Sequence, residues 1–221
     1  LNPGFASLVG LLPADVAVEE AYIDAVAGVL WPEESACLAN ASTGRRAEFA
    51  AGRILARRAL VRLGGPDFAI PVGRDRAPVW PPGFTGSITH CRNHVAVAIG
   101  ATDSLRGVGI DVEATDRFRP ELEDRVLSLE EIGLNLHDLA PEARQVALAV
   151  LFSVKEAFYK CQYEITRQFL GFLDVTARID MRRGRFEITL LKALPLLSSH
   201  VFHGGFRVEN GMVAAAMVIR R

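Results

Sequence analysis

Two stretches of this chain carry residue types suited to chemistry at a phosphate. Gly109-Ile110-Asp111-Val112-Glu113 alternates apolar and acidic residues. In a strand, residues two apart face the same way, so Asp111 and Glu113 share one face and Ile110 and Val112 the other. Paired carboxylates of this kind suit a hard divalent cation, which takes oxygen ligands and leaves room for phosphate oxygens. Further on, Phe152-Ser153-Val154-Lys155-Glu156-Ala157-Phe158-Tyr159-Lys160 reads as a helix with a third carboxylate, Glu156, between two lysines. Together the stretches point to a metal-assisted reaction at a phosphate. The competing reading is a surface ion pair, because Glu156 and Lys160 stand at i,i+4 in the favourable order, worth about 0.3–0.5 kcal/mol.

Composition gives the lysines weight. Of the 25 basic residues, all but Lys155, Lys160 and Lys192 are arginine. Lysine is a compact point charge and arginine a planar fork, so the two are not interchangeable at a reacting centre.

Other groups could hold further phosphates. Arg45 to Arg62 reads as a helix with Phe49, Ile54, Leu55 and Leu60 as apolar contacts. It follows capping groups in Asn40-Ala41-Ser42-Thr43 and ends at Gly64-Gly65-Pro66. Most of its arginines suit a solvated face, but Arg45 or Arg46 together with Arg53 can clamp a phosphate. Ser87, Thr89 and His90, in Gly86-Ser87-Ile88-Thr89-His90-Cys91, sit by a glycine turn that could form a nest for a second phosphate. The Pro- and Gly-rich stretch 66–86 is a long ordered loop with short strands, of the kind that usually carries function. Ser128 and Glu131 have capping-box spacing, a structural reading that competes with a catalytic one for Glu131.

The elements that must position these groups follow from the pattern. A short helix is predicted over Val18–Val29, strands over Gly86–His90, Val95–Ile99 and Val108–Glu113, and helices over Leu129–Leu136 and Pro141–Tyr163. Strands close the chain at Val175–Ile179, Phe186–Leu191, Val201–Val208 and Met212–Ile219. His94-Val95-Ala96-Val97-Ala98-Ile99 and Met212-Val213-Ala214-Ala215-Ala216-Met217-Val218-Ile219 form a faint repeat of alanine-rich strands, and small side chains there would admit a closely packed helix. The expectation is an α+β protein of two similar halves, 1–105 and 106–221, with the metal at the seam, a common place for ligand sites. A formal net charge of −1 argues against a nucleic-acid binder. Cys37, Cys91 and Cys161, with no C-x-x-C spacing, fit a reducing compartment. No apolar run is long enough to span a membrane, and a cytoplasmic protein is expected.

In order and spacing, five segments resemble the 4′-phosphopantetheinyl transferases of the surfactin/enterobactin type. They are Arg45-Arg46-Ala47-Glu48-Phe49-Ala50-Ala51-Gly52-Arg53, Ala77-Pro78-Val79-Trp80-Pro81, the segment Gly86–Cys91, the segment Gly109–Glu113 and the segment Phe152–Lys160. The resemblance implies two α/β subdomains in a pseudo-twofold arrangement, acting as a monomer with the active site at the seam. It implies transfer of the phosphopantetheine arm of coenzyme A to a serine of an apo acyl- or peptidyl-carrier protein, with Mg²⁺ (or Mn²⁺) and release of adenosine 3′,5′-bisphosphate. By match to the family motifs, Asp111, Glu113 and Glu156 would hold the metal, while Lys155 and Lys160 would steady the phosphates. Arg53 and His90, with Arg45 or Arg46, would grip coenzyme A, His90 at its 3′-phosphate, and Arg74 and Arg76 fall where the family places a further cationic contact. Glu131 would take the serine proton, with a metal-bound water as its competitor. A metal-dependent nucleotide phosphohydrolase and a non-enzymatic coenzyme A-binding protein are the alternatives.

Overall fold

The computed structural model describes residues 4–39 and 41–221, so the capping expectation at Asn40 lies outside the described residues. Two antiparallel sheets form the frame. The first is three-stranded, in the order β1-β3-β2, built from β1 (Val16–Tyr22), β2 (Phe84–Cys91) and β3 (His94–Ala101). The second has the order β4-β8-β7-β6-β5, from β4 (Leu105–Ala114), β5 (Val175–Asp180), β6 (Arg185–Leu190), β7 (Val201–Glu209) and β8 (Met212–Arg220). Helix α1 (Pro32–Ser35) is a single turn, and α2 (Thr43–Arg62) covers the first sheet. Helices α3 (Glu123–Val126) and α4 (Leu129–Asn135) lead into α5 (Pro141–Thr166), which packs on the second sheet. The α+β expectation holds.

Local chemistry accounts for the helix boundaries. The Ser42 hydroxyl caps α2 by accepting from the Arg45 amide at 3.3 Å, and Gly64, at φ +71°, lies just past its end. Ser128 and Glu131 form the expected capping box of α4, and Pro141 opens α5. The helix predicted over Val18–Val29 is instead β1 followed by a 3₁₀ turn at Ile23–Ala25. Pairing with β3 along its whole length, from Val16 opposite Gly100 to Tyr22 opposite His94, outweighs local helix preference.

The alanine-rich strands do not serve mainly as a bed for a helix. Ala96 and Ala98 of β3 and Ala214 and Ala216 of β8 share one core with Leu8, Val108 and Ile110, on the side away from α5. The close helix approach falls on β4 instead. A Cβ placed on Gly107 or Gly109 would overlap the carbonyl oxygens of Cys161 and Ala157 of α5 respectively. Gly107 and Gly109 share their strand face with Asp111 and Glu113, because side chains alternate. The glycines that let α5 lie against β4 are therefore continuous with the carboxylates that meet it one turn nearer its N-terminus.

Candidate active site

The match between β4 and α5 builds the centre. Two strand residues advance about 6.6 Å and four helical residues about 6 Å, so the antiparallel pair runs in step: Gly107 at Cys161, Gly109 at Ala157, Asp111 at Ser153. Ser153 donates to Asp111 Oδ2 at 2.9 Å. Lys160 Nζ donates to Asp111 Oδ1 at 2.7 Å and to the Ile110 carbonyl at 3.2 Å. Glu113 is held by Arg117 at 3.0 Å and receives the Cys91 thiol at 3.7 Å. Glu156 is half-buried and has no hydrogen-bond or ion partner among the described residues. Burial, with the Asp111 and Glu113 charges close by, pushes its carboxyl above the usual range, and Lys160 opposes the shift. Burial and the Asp111 charge also push Glu113 up.

Glu113 and Glu156, both pushed up by burial and by the Asp111 charge, fit a divalent cation by donor chemistry. Among the described residues no group of three such ligands is already arranged around one cation. Asp111 and Glu113 are instead satisfied by Lys160 and Arg117.

Beside this centre lies a cationic cavity of about 340 Å³, lined in part by Arg45, Arg53, Arg76 and His90. Arg45 Nη1 lies 2.8 Å from His90 Nε2. A guanidinium can only donate, so this ring nitrogen accepts and the imidazole is neutral. Burial lowers the His90 pKa in the same sense, with Arg45 adding to it and Glu48 opposing. Arg53 is buried, donates to the Ile70 carbonyl at 2.7 Å, and has its pKa lowered to about 10 by burial. A second cavity of about 250 Å³, lined in part by Arg76, Ser87, Tyr159, Lys160 and Tyr163, adjoins the lysine of the centre. A third, of about 150 Å³, opens beside Glu156 and is lined in part by Lys155, Phe158, Tyr159, Phe169, Leu170 and Phe172.

Several residues expected at the site are placed otherwise. Lys155 has a 1 % exposed side chain and Glu131 a 0 % exposed one, and they form a buried pair at 2.7 Å. The lysine also donates to the carbonyls of Val126, Phe172 and Val175. Glu131 further accepts from the amides of Ser128 and Ala177. With every lone pair engaged and no exposed surface, Glu131 is not placed to take a proton from a carrier serine, and the Lys155 ammonium is engaged by Glu131 and three carbonyls. Thr89 is buried and donates to Asp111 Oδ1 at 3.2 Å, so it orients a carboxylate. Ser87 is buried and accepts from the Ile110 amide at 3.2 Å, tying β2 to β4 while lining the second cavity. Arg46 is committed to the carbonyls of Ala39 and Ala41. Arg74 lines a separate groove with Trp80 and Arg106. Ser153 and Arg117 were not singled out in the sequence. Ser153 could have been found from its i, i+3, i+7 spacing with Glu156 and Lys160, whereas nothing in the sequence pairs Arg117 with Glu113.

Acid groups facing a lysine, next to a cavity lined by cations, suit chemistry on a polyanionic substrate. Comparison with known proteins narrows the class. Residues 33–100 match the 4′-phosphopantetheinyl transferase N-terminal domain, and residues 107–216 match the 4′-phosphopantetheinyl transferase superfamily. The chain is 35% identical to 4′-phosphopantetheinyl transferase PptT of Mycobacterium tuberculosis, over 95% of this chain and 96% of that protein. It is 33% identical to 4′-phosphopantetheinyl transferase Svp of Streptomyces mobaraensis, over 96% and 89%, and 34% identical to enterobactin synthase component D of Salmonella typhi, over 60% and 54%. The chain belongs to the 4′-phosphopantetheinyl transferase superfamily, and its reaction is the transfer of phosphopantetheine from coenzyme A to apo carrier proteins. No helix among the described residues is long and apolar enough to cross a membrane.

Proposed function

We propose that Asp111, Glu113 and Glu156 hold Mg²⁺ at the junction of residues 1–105 and 106–221, and that the cavities on either side take the rest of coenzyme A. The observation that carries this reading is the partnerless, half-buried Glu156 carboxylate opposite Asp111 and Glu113. Bound there, the cation would neutralise charge on the pyrophosphate as it reacts. Lys160, 26 % exposed and paired with Asp111, turns its ammonium to the phosphates. Arg45, Arg53, Arg76 and a neutral His90 grip the 3′-phosphate end, where neutral His90 donates through its second ring nitrogen. The apolar cavity by Glu156 suits the pantetheine arm.

In the reaction, the carrier serine Oγ forms a bond to the phosphorus nearer the pantetheine. The bond from that phosphorus to the bridging oxygen breaks, and adenosine 3′,5′-bisphosphate departs with the electron pair. The serine proton passes to solvent water, since Glu131 is enclosed. The buried Lys155–Glu131 pair braces α5 from below. The chain works as a cytoplasmic monomer on acyl- or peptidyl-carrier domains.

The test is the intact mass of an apo carrier incubated with the enzyme, coenzyme A and Mg²⁺. The carrier should gain one phosphopantetheine arm. Glu156→Gln and Asp111→Asn should each lower the rate by at least about two orders of magnitude, the scale of a lost electrostatic contact at a reacting centre. Retained transfer in either variant removes that residue from the metal shell.

A further inference from the structure

We propose that Asp75, Tyr163 and Arg167 form a clasp that holds a small hairpin shut over the coenzyme A site, and that its purpose is to position Arg76. Residues 71–79 fold back on themselves. The Val79 amide donates to the Pro71 carbonyl at 3.0 Å, the Gly73 amide to the Ala77 carbonyl at 2.8 Å, and Val72 bridges Pro78. Asp75 is at the tip and works in two directions. Its Oδ1 accepts from the Ala77 amide at 3.2 Å, closing the turn. Its Oδ2 accepts from Tyr163 Oη at 3.3 Å and from Arg167 Nη1 at 3.5 Å, both at the C-terminal end of α5. Arg167 is fixed in turn by Glu164 at 3.0 Å, and its guanidinium lies 5.6 Å from the Tyr163 ring centre.

The clasp joins a hairpin of the first half of the chain to a helix of the second, and the cavity of about 250 Å³ lies where they meet. Arg76, next to the tip, lines both that cavity and the one holding Arg45, Arg53 and His90. Its backbone is left-handed, at φ 69°, a conformation that costs an ordinary residue free energy and that glycine adopts freely. Arg92 and Arg167 are left-handed too, so what singles out Arg76 is the pair of cavities it lines. Its reach into both cavities depends on where the hairpin tip is held, and Asp75 is what holds it.

The energetic logic is a population shift. If only the closed hairpin places Arg76 correctly, apparent affinity for coenzyme A scales with the closed fraction. Exposed ion pairs and hydrogen bonds such as these shift an equilibrium by a small factor, about two- to fivefold. Arg167 and Asp75 are therefore positioning residues, and the inference rests on the reading that coenzyme A fills these cavities.

The experiment uses the full chain with coenzyme A as the probe. Arg167 has a 50 % exposed side chain, so its removal leaves the core intact. Arg167→Ala should raise both the dissociation constant and the KM for coenzyme A by about two- to fivefold, with kcat at saturating coenzyme A unchanged. Amide exchange across residues 72–79, measured without ligand, should quicken. Arg167→Lys should stay near wild type in both, and Asp75→Asn should quicken exchange as Arg167→Ala does. Normal coenzyme A binding by the wild type, with unchanged affinity and exchange in both Arg167→Ala and Asp75→Asn, overturns the clasp alone. A wild type that binds no coenzyme A overturns the assignment of the cavities, and this inference with it.

Discussion

Lys155 lies in the segment that matches the family's reactive helix, yet the structure makes it a buried strut, and the two roles predict opposite results for Lys155→Met. The ammonium is enclosed by Glu131 and the carbonyls of Val126, Phe172 and Val175. It thus ties α3, α4 and the start of β5 to α5. Methionine keeps most of the volume, but it leaves a buried carboxylate without its counter-ion and three carbonyls without a donor. Removing one partner from a buried ion pair costs about 3–5 kcal/mol, a large share of the roughly 5–15 kcal/mol that holds a typical domain folded. Glu131→Gln falls in the same range, because the buried Lys155 ammonium loses its counter-ion and the new amide NH2 faces a backbone N–H that the carboxylate accepted. Urea unfolding followed by circular dichroism would give both values as midpoint shifts at constant slope. The folded fraction of either variant should bind coenzyme A and transfer phosphopantetheine within a few-fold of wild type. The reasoning is refuted if either variant keeps wild-type stability while losing about a hundredfold or more in kcat with coenzyme A still bound. That pattern would mean Lys155 or Glu131 acts at the chemical step.

Two further predictions concern other charged groups. His94 is buried, stacks on Phe5 at 3.8 Å and has neither ring nitrogen bonded. The nearby Glu20 carboxylate is already taken by Ser7 and Leu8, and burial lowers the His94 pKa from 6.5 to about 4. A depressed folded-state value means that the unfolded chain takes up the proton first, so this stability is complete above about pH 6.5 and drains away toward pH 4, by roughly 3 kcal/mol in all. His94→Phe should flatten that limb of the stability–pH curve, and an unchanged slope between those pH values would contradict it. Arg117, 60 % exposed, pairs with Glu113 at 3.0 Å and competes with any cation for that carboxylate. Arg117→Ala should therefore tighten Mn²⁺ binding about two- to fivefold in an electron-spin titration without coenzyme A, and equal or weaker binding would show that Arg117 does not compete.

How much of this was legible in the sequence depends on distance along the chain. Helices α2, α4 and α5 and the strand that carries Asp111 and Glu113 follow from periodicity and capping residues. The helix expected over Val18–Val29 gives way to β1 because Val16–Tyr22 is an edge strand whose identity comes from β3, a partner far away in sequence. The same limit applies at the site. That Asp111 and Glu113 share a face is a property of one strand and could be read directly. That Lys155 faces Glu131 while Lys160 faces Asp111 depends on which side of α5 meets β4, and the two glycines before Asp111 decide it. Ser87 and Thr89 look like phosphate donors when only their neighbours in sequence are considered, but each has a backbone amide across the junction to satisfy.

That junction explains why the reactive centre lies where it does. β2 and β4 run side by side as the edges of separate sheets, with no backbone ladder between them. A buried edge must still satisfy its amides and carbonyls, and here side chains do so. Ser87 accepts from the Ile110 amide, Thr89 from the Val112 amide, and Lys160 donates to the Ile110 carbonyl. In a continuous sheet those backbone groups would pair with one another and leave no room for the Thr89 hydroxyl or the Lys160 ammonium to reach Asp111. The interrupted ladder thus admits three side chains, Thr89, Ser153 and Lys160, that fix both oxygens of Asp111. Of the three carboxylates, Glu156 is the one that no described residue satisfies. A carboxylate left in that state beside two others is where a cation has most to gain by binding.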